Sequence, residues 1–262
     1  MISLERRDGR PLRIGHRGAA ALAPENTLRS FRAAVDAGVD LIEFDVLDLS
    51  DGELVIAHSN DLAEVSHGAA HGTVRDRPLE SLREACPDVP TLDEALAFFV
   101  DEADQIGLHL DLKVRGTEDA VVERLRRFGV QERSFVSSFH FRTVRRLARM
   151  APLIRAGITV PRGVLGITER GRGAPIARVG LGLLRRVTPI ASPLALSFSH
   201  ANALVLHHSL VGRSAVRRAH DRGAAVVTWT VDDPQDLARV ERAGVDAVVT
   251  NDPRIFASTL ET

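Results

Sequence analysis

Residues 41–48 read Leu-Ile-Glu-Phe-Asp-Val-Leu-Asp, and the alternation within them is the key to the fold. On a β-strand, side chains two apart project to the same face. Glu43 and Asp45 therefore point together, while Ile42, Phe44 and Val46 point the other way. A strand apolar on one face and doubly acidic on the other fits a closed parallel barrel whose interior carries polar groups at one end. Two carboxylates turned inward repel one another and lose hydration, an arrangement that is costly without a cation. A hard divalent ion with oxygen ligands relieves that cost. The competing reading is a pair facing solvent, or one bridged by arginine.

Outward from this strand, short apolar runs alternate with helical stretches along the chain. Strands are expected at Leu12 to Gly15, Asp40 to Asp48, Gly107 to Val114, Arg133 to Ser137, Leu153 to Gly157, Ala203 to Leu206, Ala224 to Val231 and Asp246 to Thr250. Leu194 to Phe198 is a further strand candidate, and Glu53 to Ala57 is expected to fold back on the second strand across the Asp51-Gly52 turn. Helices are expected at Glu25 to Ala37, at Thr91 to Asp104 behind a Thr91/Glu94 capping box, at Glu118 to Phe128 and at Arg142 to Met150. Strand then helix, repeated about eight times, points to the α/β class and a (β/α)8 TIM barrel. No glycine-rich loop follows the first strand, which argues against a dinucleotide-binding sheet. The 262 residues suit one barrel domain spanning 1–262 without a linker. An irregular segment at about 161–193, rich in Gly, Pro, Arg and Leu, interrupts the rhythm. It reads either as a long loop with a solvated helix or as a basic amphipathic lid near a lipid surface or anionic substrate.

Composition excludes several classes. A net charge of -1 gives no general reason to bind nucleic acid. One cysteine, Cys86, allows no intrachain disulfide and fits a reducing compartment. Residues 1–13 lack the apolar stretch of a signal peptide, so a cytoplasmic location is expected. No apolar run reaches membrane-spanning length, so no transmembrane segment is expected, and peripheral membrane contact stays open.

A second alternating strand, Leu108-His109-Leu110-Asp111-Leu112-Lys113, places His109, Asp111 and Lys113 on one face. Asp111 is a candidate third metal ligand, and Lys113 a partner for phosphate or for the carboxylates. His16 and His58 each close an apolar run, at the strand ends where barrel enzymes build their active face. Histidine there can move protons near neutral pH. A lone histidine at such a place is more often structural; two beside a carboxylate cluster are not so readily explained.

The motifs Gly15-His16-Arg17-Gly18, Pro24-Glu25-Asn26-Thr27, Glu43-Phe44-Asp45-Val46 and Ala57-His58 together resemble, in order and spacing, the opening signature of the glycerophosphodiester phosphodiesterase family. Asp111-Leu112-Lys113, Ser137-Ser138-Phe139, Trp229-Thr230-Val231-Asp232 and the run Gly244 to Pro253 extend the resemblance over nearly the whole chain, most weakly from Pro161 to Ala203. The resemblance implies hydrolysis of a glycerophosphodiester to glycerol 3-phosphate and an alcohol. It implies a divalent metal ion, Mg2+ or Ca2+, on Glu43, Asp45 and Asp111, with His16 and His58 as the acid–base pair. Arg17 and Lys113 would bind the phosphodiester, Trp229 would line the pocket beside the glycerol or headgroup, and Glu25 would either contact the site or favour the start of a helix.

Three positions depart from the family pattern. Ser59 follows His58 where aspartate is usual, Asp111 replaces glutamate, and Asn251 stands where aspartate is common. Ser59 and Asp111 motivate one alternative, a barrel that binds phosphoesters without turnover; the basic segment 161–193 motivates another, a lysophospholipid- or phosphoinositide-directed phosphodiesterase on the same barrel. A metal-dependent aldolase or enolase-type lyase would account for the carboxylates but not for the paired histidines.

Overall fold

The computed structural model describes residues 1–160 and 175–259. In chain order the elements are β1 (Leu12–Gly15), α1 (Leu28–Asp36), β2 (Leu41–Asp48), β3 (Leu54–Ile56), α2 (Leu62–Val65), α3 (Leu79–Ala85), α4 (Leu92–Asp101), β4 (Gly107–Leu112) and α5 (Glu118–Arg127). There follow β5 (Ser134–Ser138), α6 (Phe141–Met150), β6 (Arg155–Val160), α7 (Pro175–Ser199), β7 (Ala203–His207), α8 (Arg213–His220), β8 (Ala225–Trp229), α9 (Pro234–Ala243) and β9 (Ala247–Thr250). The sheet runs β1-β9-β8-β7-β6-β5-β4-β2, and pairing of β1 with β2 closes it into an eight-stranded parallel (β/α)8 barrel. β3 lies outside this ring, antiparallel to the end of β2 from Val46 to Asp48.

Both faces of the strands are buried, in different company. Outward residues such as Phe44, Leu110, Val136 and Leu204 pack under the helices. Phe31, Phe44, Phe98 and Phe99 interlock at ring-centroid distances of 5.4–5.8 Å, clamping α1 and α4 onto the back of β2. Ring pairs at such spacings add to burial itself. Inward residues form a separate apolar plug of Ile14, Leu41, Phe135, Val205, Val227 and Val249, joined by Leu4 from the N-terminal segment. Arg155 at the start of β6 donates to the carbonyl of Ile2 at 3.0 Å and ties that segment beneath the barrel. The polar layer therefore sits only at the C-terminal ends of the strands.

Two expectations change. Leu194 to Phe198 is not a strand but the last turns of α7, which runs through Pro189 and Pro193. The hydroxyls of Thr188 and Ser192 bond to the carbonyls of Leu184 and Thr188 (2.7 and 2.8 Å), within the stretch where prolines remove N–H donors. The first helix starts at Leu28 rather than Glu25, because Thr27 caps it with Ser30 in a reciprocal capping box. Of the irregular segment, residues 161–174 lie outside the described residues, and the remainder belongs to α7.

Gly157 faces the plug, where an added Cβ would lie 2.6 Å from two ring atoms of Phe135. Phe135 is itself held against His109 at 4.3 Å between centroids, so it has little room to give. Overpacking of this kind costs about 1–3 kcal/mol. Gly157→Ala is expected to lower the free energy of unfolding by that amount, read as a lower urea midpoint with an unchanged slope; an unaltered midpoint would show that the plug yields.

Candidate active site

The register of the strands sets the polar layer. Asp45, Asp111, Ser137 and Gly157 pair in succession across β2, β4, β5 and β6, and Glu43 pairs with His109 one step below. Glu43, Asp45 and Asp111 are all buried, and each offers an oxygen within 4.8 Å of the others. The solvent-facing reading of these carboxylates does not survive, whereas an arginine does pair with one of them, Arg17 with Asp45.

Cations and donors stand among them. Lys113 Nζ lies 2.7 Å from Asp45 Oδ1 and 2.6 Å from Asp111 Oδ2. Arg17 Nε lies 3.2 Å from Asp45 Oδ2, and its Nη1 is 2.7 Å from Glu25 Oε2. Burial alone would raise the Asp45 carboxyl, but Lys113 and Arg17 overcome it and hold Asp45 below the ordinary carboxylate range. The same carboxylates hold Lys113 above the ordinary range despite burial. Glu43 is pushed well up, first by burial and then by the Asp45 charge. An added cation would be most valuable beside Glu43. With three oxygen donors converging, the cluster fits a hard divalent metal ion.

Two backbone features bring the β1 loop onto this cluster. Arg17 has a left-handed φ of 51°, which aims its N–H at Glu43 Oε2 (3.0 Å). Asn26, also left-handed at 56°, turns its side chain so that Nδ2 donates to Asp45 Oδ2 at 2.9 Å. Non-glycine residues held in this region carry strain that neighbouring contacts must offset. Gly18, at φ 88°, has no space for a Cβ, which would meet Ser30 Cβ at 2.7 Å.

His16 lies over Glu43, with Nε2 3.8 Å from Oε2. Its Nδ1 is 2.6 Å from Asn251 Oδ1, while Asn251 Nδ2 donates to Asp232 Oδ2 at 2.7 Å. The amide is thereby oriented with its oxygen towards the ring, so His16 carries its proton on Nδ1 and turns a bare Nε2 to the site. Burial and the Arg17 charge lower His16 to about 4, so the ring is neutral near pH 7. A related chain fixes His109: Ser137 donates its one proton to Asp111 Oδ1 (2.7 Å) and accepts from His109 Nε2 (2.9 Å).

His58 reaches the mouth by the β3 return, where Ala57 N–H bonds to the carbonyl of Asp45 at 3.1 Å. Its Nδ1 is 3.9 Å from Glu25 Oε1. Ser59 and Asp61 turn away from it: Ser59 Oγ accepts from Asp61 N–H, and Asp61 caps α2. Glu25 thus meets Arg17 and faces His58, instead of starting α1. Trp229 packs edge-on to Phe139 at 6.0 Å, and its buried Nε1 has no hydrogen-bond partner among the described residues. A cavity of about 40 Å³ lies among His16, Glu43, Asp111, Lys113, Phe139 and Trp229. A separate groove of about 200 Å³ runs past Glu25 and His58. Asn26, Ser137 and Asp232 stand in the quoted motifs, but their contacts with Asp45, Asp111 and Asn251, and that of Asn251 with His16, escape sequence reasoning, because each partner is far away in the chain.

The model of the glycerophosphoryl diester phosphodiesterase family matches residues 16–255. A glycerophosphodiester phosphodiesterase of Caldanaerobacter subterraneus subsp. tengcongensis is 26% identical over 92% of this chain and 93% of its own. Among solved structures, an Oleispira antarctica phosphodiesterase in complex with the product sn-glycerol-3-phosphate superposes with a TM-score of 0.73 at 26% identity, covering 96% of this chain and 97% of that one. The Thermotoga maritima glycerophosphodiester phosphodiesterase, at 23% identity and TM-score 0.71 over 95% and 98% of the two chains, has the same fold.

Asn251→Leu removes the acceptor at Nδ1 of His16. The wild-type ring is expected to show a single Nδ1–H tautomer by 15N NMR, and the variant a mixture. A single unchanged tautomer in the variant would mean that Asn251 does not orient the ring.

Proposed function

The chain belongs to the glycerophosphoryl diester phosphodiesterase family, and from that membership we propose a division of labour among its site residues during hydrolysis of a glycerophosphodiester to glycerol 3-phosphate and an alcohol. The protein is an enzyme, a phosphoric diester hydrolase. The observation that carries the finer reading is the placement of a bare histidine nitrogen, His16 Nε2, above three converging buried carboxylates.

His16 is the base. It takes the proton of the attacking hydroxyl, which belongs either to water, giving glycerol 3-phosphate directly, or to the substrate's own glycerol, giving a cyclic phosphodiester that water then opens to glycerol 3-phosphate. The attacking oxygen forms a bond to phosphorus as the bond to the leaving alcohol breaks. His58, half-exposed beside Glu25, gives a proton to the departing alkoxide. Arg17 and Lys113 orient the phosphodiester and offset its charge, at some expense to their present pairing with Asp45 and Asp111. The unpartnered indole N–H of Trp229 is suited to a glycerol hydroxyl. Glu43, Asp45 and Asp111 would hold Mg2+ or Ca2+, which when bound supplies positive charge to the phosphoryl oxygens.

The test is release of glycerol 3-phosphate from glycerophosphocholine and glycerophosphoethanolamine, coupled to glycerol-3-phosphate dehydrogenase, in EDTA, Mg2+ or Ca2+. Activity is expected to vanish in EDTA and to return with one of the two ions; undiminished turnover in EDTA overturns the metal assignment.

His16→Ala and His58→Ala should each lower kcat by about 10²–10⁴, the usual worth of one acid or base, with far less change in KM. A variant that loses KM and keeps kcat would reassign that histidine to binding.

A further inference from the structure

The outer surface of α7 is inverted. The side chains it turns towards the barrel include Thr188, Ser192 and Ser199, all buried, with hydroxyls spent on the helix's own carbonyls. Leu196 is buried in the core, but five large apolar side chains face outward: Leu183, Val187, Ile190, Leu194 and Phe198 are 64%, 45%, 63%, 55% and 65% exposed. Their spacing of three and four residues places them on one face, a continuous stripe along the helix. Leaving one such residue in water is ordinary. Five in a row on a helix whose barrel side buries three hydroxyls beside Leu196 mark a surface that meets something apolar.

The neighbours of the stripe say what kind. α7 is flanked by α6 on one side and α8 on the other. α6 carries Arg142, Arg145, Arg146 and Arg149; α7 carries three arginines; α8 carries Arg213, Arg217 and Arg218. None of the three helices contains Asp or Glu, although the chain has 35 acidic residues and a net charge of -1. Asp119 of α5 pairs with Arg146, and the flank is otherwise basic. Phe141, 51% exposed, adds an apolar side chain at the mouth end of α6.

We propose that the α6–α7–α8 flank is a docking face for an anionic phospholipid bilayer, with the α7 stripe entering the headgroup boundary and the arginines pairing with lipid phosphates. Apolar side chains framed by arginine are the chemistry that such a surface selects. A second copy of the chain is disfavoured, since an isologous contact would set arginine-bearing helices against each other with no carboxylate on any of them. Nucleic acid would satisfy the arginines and leave the stripe in water. The contact would be peripheral: among the described residues no helix is long and apolar enough to cross a membrane.

The experiment is co-sedimentation of the full chain with vesicles of phosphatidylcholine containing phosphatidylglycerol, and with vesicles of phosphatidylcholine alone. Two variants run beside it. Ile190→Ser/Leu194→Ser/Phe198→Ser removes the stripe, and Arg149→Glu/Arg217→Glu reverses charge beside it. Turnover of a soluble glycerophosphodiester reports that each is folded, since none of these residues lies in the catalytic machinery. The wild type is expected to sediment with the anionic vesicles only and to be released by salt. Each variant should partition on the order of tenfold less or weaker still, given the buried area or charge lost. Wild-type protein that stays in the supernatant, or a stripe variant that sediments like the wild type, overturns the proposal. Binding untouched by charge reversal overturns the anionic preference. A wild-type dimer in light scattering that the stripe variant splits assigns the stripe to self-association and overturns the lipid reading.

Discussion

Three carboxylates can share a buried layer only if positive charge stands among them, and the upper half of this barrel is organised by that requirement. Lys113 sits between Asp45 and Asp111, and Arg17 closes on Asp45 from the β1 loop. Neither cation serves Glu43 with its side chain; Glu43 has the Arg17 N–H and the distant Nε2 of His16. The balance is deliberately incomplete in the physical sense: the layer is neutral enough to fold and still short of charge at one carboxylate. A buried site of this kind is stabilised by any ligand that completes it, so binding energy is directed to the place where chemistry occurs.

Rigidity comes from the layers on either side of that shell. The phenylalanine cluster behind β2 fixes the strand from which Glu43 and Asp45 project. The plug below, built round Phe135, supports the polar layer through the His109 ring stacked on it. The loop carrying His16 and Arg17 is the more constrained for being strained: Gly18 is packed against Ser30, and two side-chain-bearing residues adopt left-handed conformations. Such a loop holds one arrangement because its alternatives would lose several hydrogen bonds together.

Much of this was legible before any coordinates. The alternation in residues 41–48 and 108–113 reveals strands, because a barrel strand places unlike residues on its two faces, and the ordered motifs from Gly15 to Pro253 carry the family likeness. The capping box at Thr91 and Glu94 and the return of β3 are local and were equally readable. Leu194 to Phe198 reads as a strand because period-two alternation over five residues looks the same whether a strand or a helix produces it. The tautomer of His16 depends on Asn251 and Asp232, and the seating of Asp45 on Asn26; these are contacts across the barrel that no local pattern encodes.

The segment around Leu4, tied under the barrel by Arg155, has a consequence for traffic. With the interior packed from below, the described residues offer one way in, between the strand ends. Reactant, leaving alcohol and phosphomonoester must then use the same doorway. The phosphomonoester, an anion, passes Arg17 and Lys113, which line that doorway. In enzymes with a dead-end chamber of this kind, product exit is a step separate from bond breaking and often sets the turnover rate.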